Sequence, residues 1–298
     1  MEFAVNGMSS ILLLLAVFPL LGSTQFLDPE CGIRSLLQVV PRVLNGKVAD
    51  RNSSPWMAFL YTSSNQFLCG GSLISNRLVL TAANCIIPNT TIIVGLGAFN
   101  RKLKGYIEEH QVERIFLPRF YDPNTHVHDI AIIELVDNVV YKANIRPLCI
   151  ILDPTWKQLI DSMTLLTGTG WGRTESMPSS NELRILNILR QPSTKCVFGV
   201  LSNQFCAGNR NSSFCIGDTG GPVGVMVRYK KVKRFIQVGI VITNKRCLTP
   251  SAFTDVIGHI NFIRRVLLIH KGNNMIQPTP KPDTELEFDW NSVMPIHW

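Results

Sequence analysis

Short apolar runs of alternating pattern, separated by turn residues, set the tightest limit on what this chain can fold into. They include Trp56–Tyr61, Ser72–Leu80, Thr91–Leu96, Ile130–Leu135, Ile185–Leu189, Val223–Val227 and Gln237–Ile242. Most are of ordinary strand length, and Val, Ile and Phe are frequent among them. Helical patterns between them are few, so the chain reads as all-β. The span from Val43 to His270 is too long for one small barrel and predicts two packed barrels or a pair of sandwiches. One helix is legible, from His259 to His270. There Ile260, Ile263 and Leu267 share a face, and Arg264 and Arg265 are expected to turn away.

Apolar residues make up 46% and charged residues 17%, which excludes wholesale disorder. The longest apolar run, Ile11–Leu21, is broken by Pro19 and is short for a membrane span. No later run approaches a spanning length, which excludes a multi-span helical membrane protein. Met1–Thr24 reads as a secretory signal, with an apolar centre at Ile11–Phe18 and small residues at Gly22–Ser23–Thr24. It departs from pattern in carrying Glu2 and no Lys or Arg over Met1–Ser10. The competing reading is a buried N-terminal helix or an anchor. On the signal reading the mature chain starts near Gln25 and is extracellular, with no span left. That compartment permits disulfides, and the chain has 8 cysteines. None has the two-residue spacing of a metal site, so no metal is expected. Sequons at Asn52, Asn89 and Asn211 suit the same route.

The formal charge is +8, and it is uneven. Arg228, Lys230, Lys231, Lys233 and Arg234 cluster, as either a solvated hairpin or a patch for an anionic partner such as a glycan or acidic protein. No nucleic-acid motif accompanies them. Residues 271–298 carry Pro278, Pro280, Pro282 and Pro295 among Asp283, Glu285, Glu287 and Asp289, and read as a flexible tail.

Three stretches carry chemistry together: Leu80–Thr81–Ala82–Ala83–Asn84–Cys85, Asp129–Ile130–Ala131–Ile132 and Gly217–Asp218–Thr219–Gly220–Gly221–Pro222. Supporting them are Leu68–Leu73, Gly168–Gly172 and Phe253–Val256. In order and spacing they resemble the segments that hold the catalytic triad of trypsin- and chymotrypsin-like serine proteases. The resemblance runs from Arg42 to the last helix. It implies two six-stranded antiparallel β-barrels with a C-terminal helix and a site in the cleft between the barrels. The chain then divides into a signal (1–24), an activation segment (25–42), a protease-like domain (43–270) and a tail (271–298).

The resemblance breaks at the reacting groups. Asn84 stands where the family has His, and Thr219 where it has Ser; Asp129 alone keeps its identity. A hydroxyl attacks an acyl carbon only if a base takes its proton and later returns it to the leaving amine. Imidazole does both because it titrates near neutrality. An amide hydrogen-bonds but has no such equilibrium. Threonine is less decisive, since it serves as a nucleophile beside an amine base, although its methyl restricts χ1. In subtilisin, loss of the Ser or the His alone costs roughly 10⁶ in turnover, about 8 kcal/mol. His128, next to Asp129, is expected to point away in an extended segment. Neither it nor His126 is expected to supply the base.

Other parts of the apparatus survive by resemblance. Cleavage after Arg42 would free Val43 as a new terminus able to pair with Asp218, with Pro41 narrowing which protease cuts. The competing reading is that Arg42 is never cut. Gly217 and Thr219 would offer backbone N–H groups to an oxyanion. The specificity pocket is altered: Ser213 replaces the acid of the trypsin branch, and Asn244 and Ser251 stand in its wall. The implied disulfides are Cys69–Cys85, Cys215–Cys247, Cys196–Cys206 and Cys31–Cys149, a choice that spacing alone does not make.

These expectations converge on a secreted, catalytically inactive homologue without a cofactor. It would act as a regulator, cofactor or decoy in an extracellular proteolytic cascade of the arthropod immune type, with proteases or their substrates as partners. The alternatives are a weak serine-type endopeptidase using Thr219, and a module binding polyanionic glycans or microbial surfaces.

Overall fold

The computed structural model describes residues 26–34, 47–173, 180–196, 199–210, 212–242, 250–272 and 293–296. The chain forms two closed antiparallel β-barrels of six strands each. In the first, the order is Glu108–Pro118, Ile92–Leu96, Met57–Thr62, Phe67–Leu73, Leu78–Thr81 and Ala131–Leu135. Pairing of Ala131–Leu135 back onto Glu108–Pro118 closes it. In the second, the order is Arg184–Gln191, Gln204–Gly208, Ser251–Asp255, Val232–Val241, Pro222–Tyr229 and Leu165–Gly170. Leu165–Gly170 closes it against Arg184–Gln191. Closure pairs all six barrel strands on both sides, and only the short strands Lys47–Val48 and Val293–Ile296 lie at sheet edges among the described residues.

The strand pattern read from sequence needs two corrections. Ser72–Leu80 is two strands, Phe67–Leu73 and Leu78–Thr81, because Ser75 bends the chain by accepting hydrogen bonds from the Arg77 and Leu78 amides. Glu108–Pro118 is a strand that apolar alternation misses, since its outward positions Glu109, Gln111 and Glu113 are polar and exposed. Val293–Ile296, within the expected flexible tail, pairs antiparallel with Ile115–Pro118. Its Pro295 is tolerated because this strand lies at an edge.

Each barrel fills with the inward residues of its strands. Leu60, Leu80, Val94, Phe116 and Ile132 pack in the first, and Val223, Ile236, Val238 and Phe253 in the second, joined by Phe214 from the loop before Asp218. Burying each such side chain contributes about 1.5–3 kcal/mol. Between the barrels, Trp56 stacks on Phe235 at 5.0 Å and Phe59 meets Trp171 edge-on at 5.8 Å. Polar ties cross the same boundary. Ser72 donates to Gln237 at 2.7 Å, and the Gly70 amide donates to the Thr219 carbonyl at 2.8 Å. These contacts bring the loops of the two barrels to one cleft.

The last helix, Ile260–Gly272, inserts Phe262, Ile263 and Val266 into the first barrel's core. Arg264 is exposed as expected, but Arg265 is buried. A long arginine stem can cover apolar surface, so the charge does not keep it outside. Glu134, itself buried, holds the helix end: it accepts from His270 at 2.7 Å and pairs with Arg114 at 2.6 Å. Burial pushes the Glu134 carboxyl up, but these partners outweigh it and hold it below the ordinary carboxylate range.

Disulfides Cys31–Cys149, Cys69–Cys85 and Cys196–Cys206 form as the resemblance implied. Cys215 is disulfide-bonded too. Its expected partner Cys247 lies outside the described residues, as do Arg42, Val43, Asn211, Asn244 and the expected signal.

Candidate functional site

Asn84 sits in the short helical turn Ala83–Cys85, just past the strand Leu78–Thr81. The Cys69–Cys85 disulfide fixes that turn against the Phe67–Leu73 strand. The Asn84 backbone N–H donates to Asp129 Oδ1 at 2.8 Å, while Asn84 itself is exposed. Asp129 is wholly buried ahead of the strand Ala131–Leu135. Its carbonyl accepts from Thr254 Oγ1 at 2.8 Å, which ties the first barrel to the second. The structure thus brings Asn84 and Asp129 into contact through backbone, without an imidazole at position 84.

Thr219 enters the site from the second barrel. It is 6% exposed and lies on the turn that leads into the strand Pro222–Tyr229. Gly217 and Gly220 on this turn adopt left-handed φ values of 93° and 80°. A side chain at Gly220 would collide with Thr81 and the Gly70 carbonyl, so the turn requires glycine there. The Gly221 amide donates to the Asp218 carbonyl at 2.9 Å and the Gly220 amide to the Val241 carbonyl at 2.9 Å. Together with the Gly70–Thr219 bond, they fix the backbone around the hydroxyl.

Asp218 points into the second barrel. Its carboxylate accepts from the Gly172 amide at 2.7 Å and the Cys215 amide at 3.0 Å. Gly170 and Gly172 leave the room it occupies. Burial pushes the Asp218 carboxyl up to about 6, against the two amide bonds and the attraction of Arg101. Arg101 was not singled out from sequence. It is held by the Ser180 carbonyl at 2.8 Å and lies over the Phe67 ring at 4.2 Å.

Ser213, in the loop after Gln204–Gly208, and Ser251, at the start of the strand Ser251–Asp255, face each other with their hydroxyls 3.4 Å apart. The candidate pocket is therefore lined there by neutral polar groups. Asn52 and Asn89 are exposed and take left-handed φ values of 61° and 58°, in turns that a glycan can reach.

The histidines before Asp129 depart from expectation. The segment is not extended, since His126 and His128 both take left-handed φ values, 57° and 55°. His128 does turn away: its Nδ1 lies 3.1 Å from His259 Nε2, and His259 Nδ1 lies 2.7 Å from the Asp255 carbonyl. A carbonyl only accepts, so His259 carries its proton on Nδ1 and takes a hydrogen bond from His128 on Nε2. Burial holds both rings below the ordinary histidine range. His126 instead faces the site, with Nδ1 3.3 Å from Asp129 Oδ2. Both atoms are inaccessible to solvent, and Asp129 raises the His126 imidazole above its ordinary range, so the contact pairs an imidazolium with a carboxylate. Alternation could not have found it. The pair of histidines at three and one residues before the acid was the available signal, and only the turn decides which one reaches Asp129.

Chemically, the cleft offers an exposed amide, a buried carboxylate and a nearly buried threonine on a rigid turn, in that chain order. Among the described residues no helix is long and apolar enough to cross a membrane.

Comparison with known proteins places this arrangement. The chain is 29% identical over 251 residues to serine protease grass of Drosophila melanogaster, covering 74% of this chain and 67% of that protein. It is 30% identical over 285 residues to CLIP domain-containing serine protease B15 of Anopheles gambiae, covering 85% and 76% respectively. It is 28% identical over 267 residues to the clotting factor G beta subunit of Tachypleus tridentatus, covering 80% and 83%. Residues 43–263 match the trypsin family, a stretch that contains Asn84, Asp129 and Thr219, and the chain belongs to that family.

Proposed function

We propose that this protein is a secreted, non-catalytic member of the trypsin family that regulates an extracellular proteolytic cascade as a cofactor or decoy. One observation carries this reading. Position 84 meets Asp129 with a backbone N–H at 2.8 Å, and its side chain is an amide. The scaffold that would present an imidazole is in place, and the proton acceptor is not. Barrels, disulfides and the glycine-rich turn at Thr219 give the loops around the cleft a fixed shape, which suits recognition of a protease or its substrate. The matched relatives are named as serine proteases and a clotting factor subunit, and these supply the proteolytic setting. Cleavage after Arg42 would then act as a switch, with the Val43 ammonium entering beside Asp218.

The test uses purified chain, intact and cleaved after Arg42, with a fluorophosphonate probe and short peptide substrates. The expected result is no labelling of Thr219 and no turnover. Stoichiometric labelling of Thr219 would favour the weak endopeptidase instead.

A second reading, compatible with the first, concerns the hairpin of strands Pro222–Tyr229 and Val232–Val241. Arg228 and Lys233 sit directly opposite one another, and with Lys230 and Lys231 they are exposed. Like charges across a ladder are destabilising. Lys230 and Lys231 also hold left-handed φ values of 46° and 66°, where lysine is uncommon. Concentrating charge at this local cost fits a polyanion-binding edge. Arg234 is excluded from it, because its guanidinium donates to the Cys31 carbonyl at 2.5 Å. Heparin binding that weakens steeply with salt, and is lost when these four residues become Gln, supports this reading. Salt-independent binding removes it.

A further inference from the structure

We infer that His126 has taken over the partnership with Asp129 that position 84 gave up, and that it locks the cleft in its non-catalytic arrangement. This deepens the reading of the cleft as non-catalytic and rests on it. Removing an imidazole from position 84 leaves one oxygen of a buried carboxylate without its former partner. Asp129 Oδ1 keeps the Asn84 amide, and Oδ2 is the oxygen released. A buried carboxylate oxygen without a counter-charge is costly. His126 Nδ1 lies 3.3 Å from that oxygen.

The chain around His126 is shaped for this approach. Its amide donates to the Asp122 carbonyl at 2.8 Å, and its carbonyl accepts from Gln204 Nε2 at 2.9 Å. The first bond closes a turn and the second pins that turn to the other barrel. The left-handed φ of 57° is the strained element, and the two hydrogen bonds hold it. His126 is 27% exposed although its Nδ1 is inaccessible, so the open part of the ring lies away from Asp129, toward the outside. Among the described residues, Asp129 and Asp122 act on His126, and Tyr121 is influenced by the same two acids. Asp129 and Asp122 hold the imidazolium above the ordinary histidine range, against burial. Tyr121 is pushed up by burial and by the same two acids, so it stays neutral.

His126 is thus a positioning residue that acts through Asp129. Its ring stands against the oxygen that a restored imidazole at position 84 would need. Replacing Asn84 and Thr219 with the family's residues is therefore insufficient: the restored ring must compete with one already seated.

The test has two independent readouts on the full-length protein. The first is histidine titration by NMR. His126 should titrate above the ordinary histidine value and fall toward it in Asp129→Asn. An ordinary titration unchanged by Asp129→Asn overturns the inference, whatever the activity of the native protein. The second compares fluorophosphonate labelling of N84H/T219S with N84H/T219S/H126N. Asparagine tolerates the left-handed backbone and lacks the ring, and a H126G version of the triple variant guards against misfolding. At least about tenfold faster labelling after removal of His126 is expected, because misplacing a reacting group by about 1 Å can cost about 10²-fold. Equal labelling overturns the inference. If the native chain labels at Thr219 and His126→Asn abolishes it, His126 is a base and both readings fall. If the native chain labels independently of His126, only the non-catalytic reading falls.

Discussion

The Asn84 backbone N–H and the Asp129 carboxylate are joined at 2.8 Å across 45 residues of sequence. The bond is made by main chain, so it survives the change of side chain at position 84. That is why this contact of the cleft does not depend on which side chain stands at position 84.

Asn84→Ala keeps the main-chain bond to Asp129 and should therefore cost less stability than Asp129→Ala. Asp129→Ala should cost about 1–3 kcal/mol, because it orphans the Asn84 amide and opens space in a buried site. Denaturant unfolding of the two variants checks the contrast. A comparable loss in both would mean that the Asn84 side chain carries the contact.

Asp218 makes the stability of the uncleaved chain pH-dependent. Its carboxyl is raised from 3.8 to about 6 in the folded protein, so the folded state binds the proton more tightly. Its contribution is full below 3.8 and is lost as pH rises through about 6. The ceiling of that loss is about 3 kcal/mol. Melting temperature measured across this interval should fall as pH rises, and Asp218→Asn should flatten the curve. In chain cleaved after Arg42, entry of the Val43 ammonium should likewise abolish the fall.

Cleavage after Arg42 should not release the N-terminal segment. Cys31 and Cys149, 118 residues apart, hold it. A non-reducing gel should show one species of unchanged size, and a reducing gel should separate a short fragment. Release without reductant would contradict the Cys31–Cys149 pairing.

The pocket should reject cations. Ser213 and Ser251 meet as neutral hydroxyls at 3.4 Å, with no carboxylate supplied by either. A fluorescent benzamidine should gain no signal with the native protein and should gain it with Ser213→Asp. No gain in that variant would assign the obstruction to the wall near Ser251.

Much of this was legible in sequence because it depends on residue type at short range. The strand patterns at Thr91–Leu96 and Val223–Val227, the glycine turn around Thr219, and the replaced residues at 84 and 219 are of that kind. The strand Glu108–Pro118 was hidden because its first half buries only His110, between the exposed Glu109 and Gln111, and its buried Ile115 and Phe116 are consecutive. Arg265 was misplaced because its charge says nothing of where its stem lies. His126 was set aside because an extended backbone was assumed before Asp129. Two left-handed residues there turn one histidine in and the other out, and residue alternation carries no information on that turn.

The central claim is that no group at this cleft takes the proton from Thr219. The most direct measurement is peptide hydrolysis by recombinant protein cleaved after Arg42, with Thr219→Ala prepared identically as control. The account predicts indistinguishable background rates for the two. Sustained multiple turnover by the native protein, absent in Thr219→Ala, would contradict it.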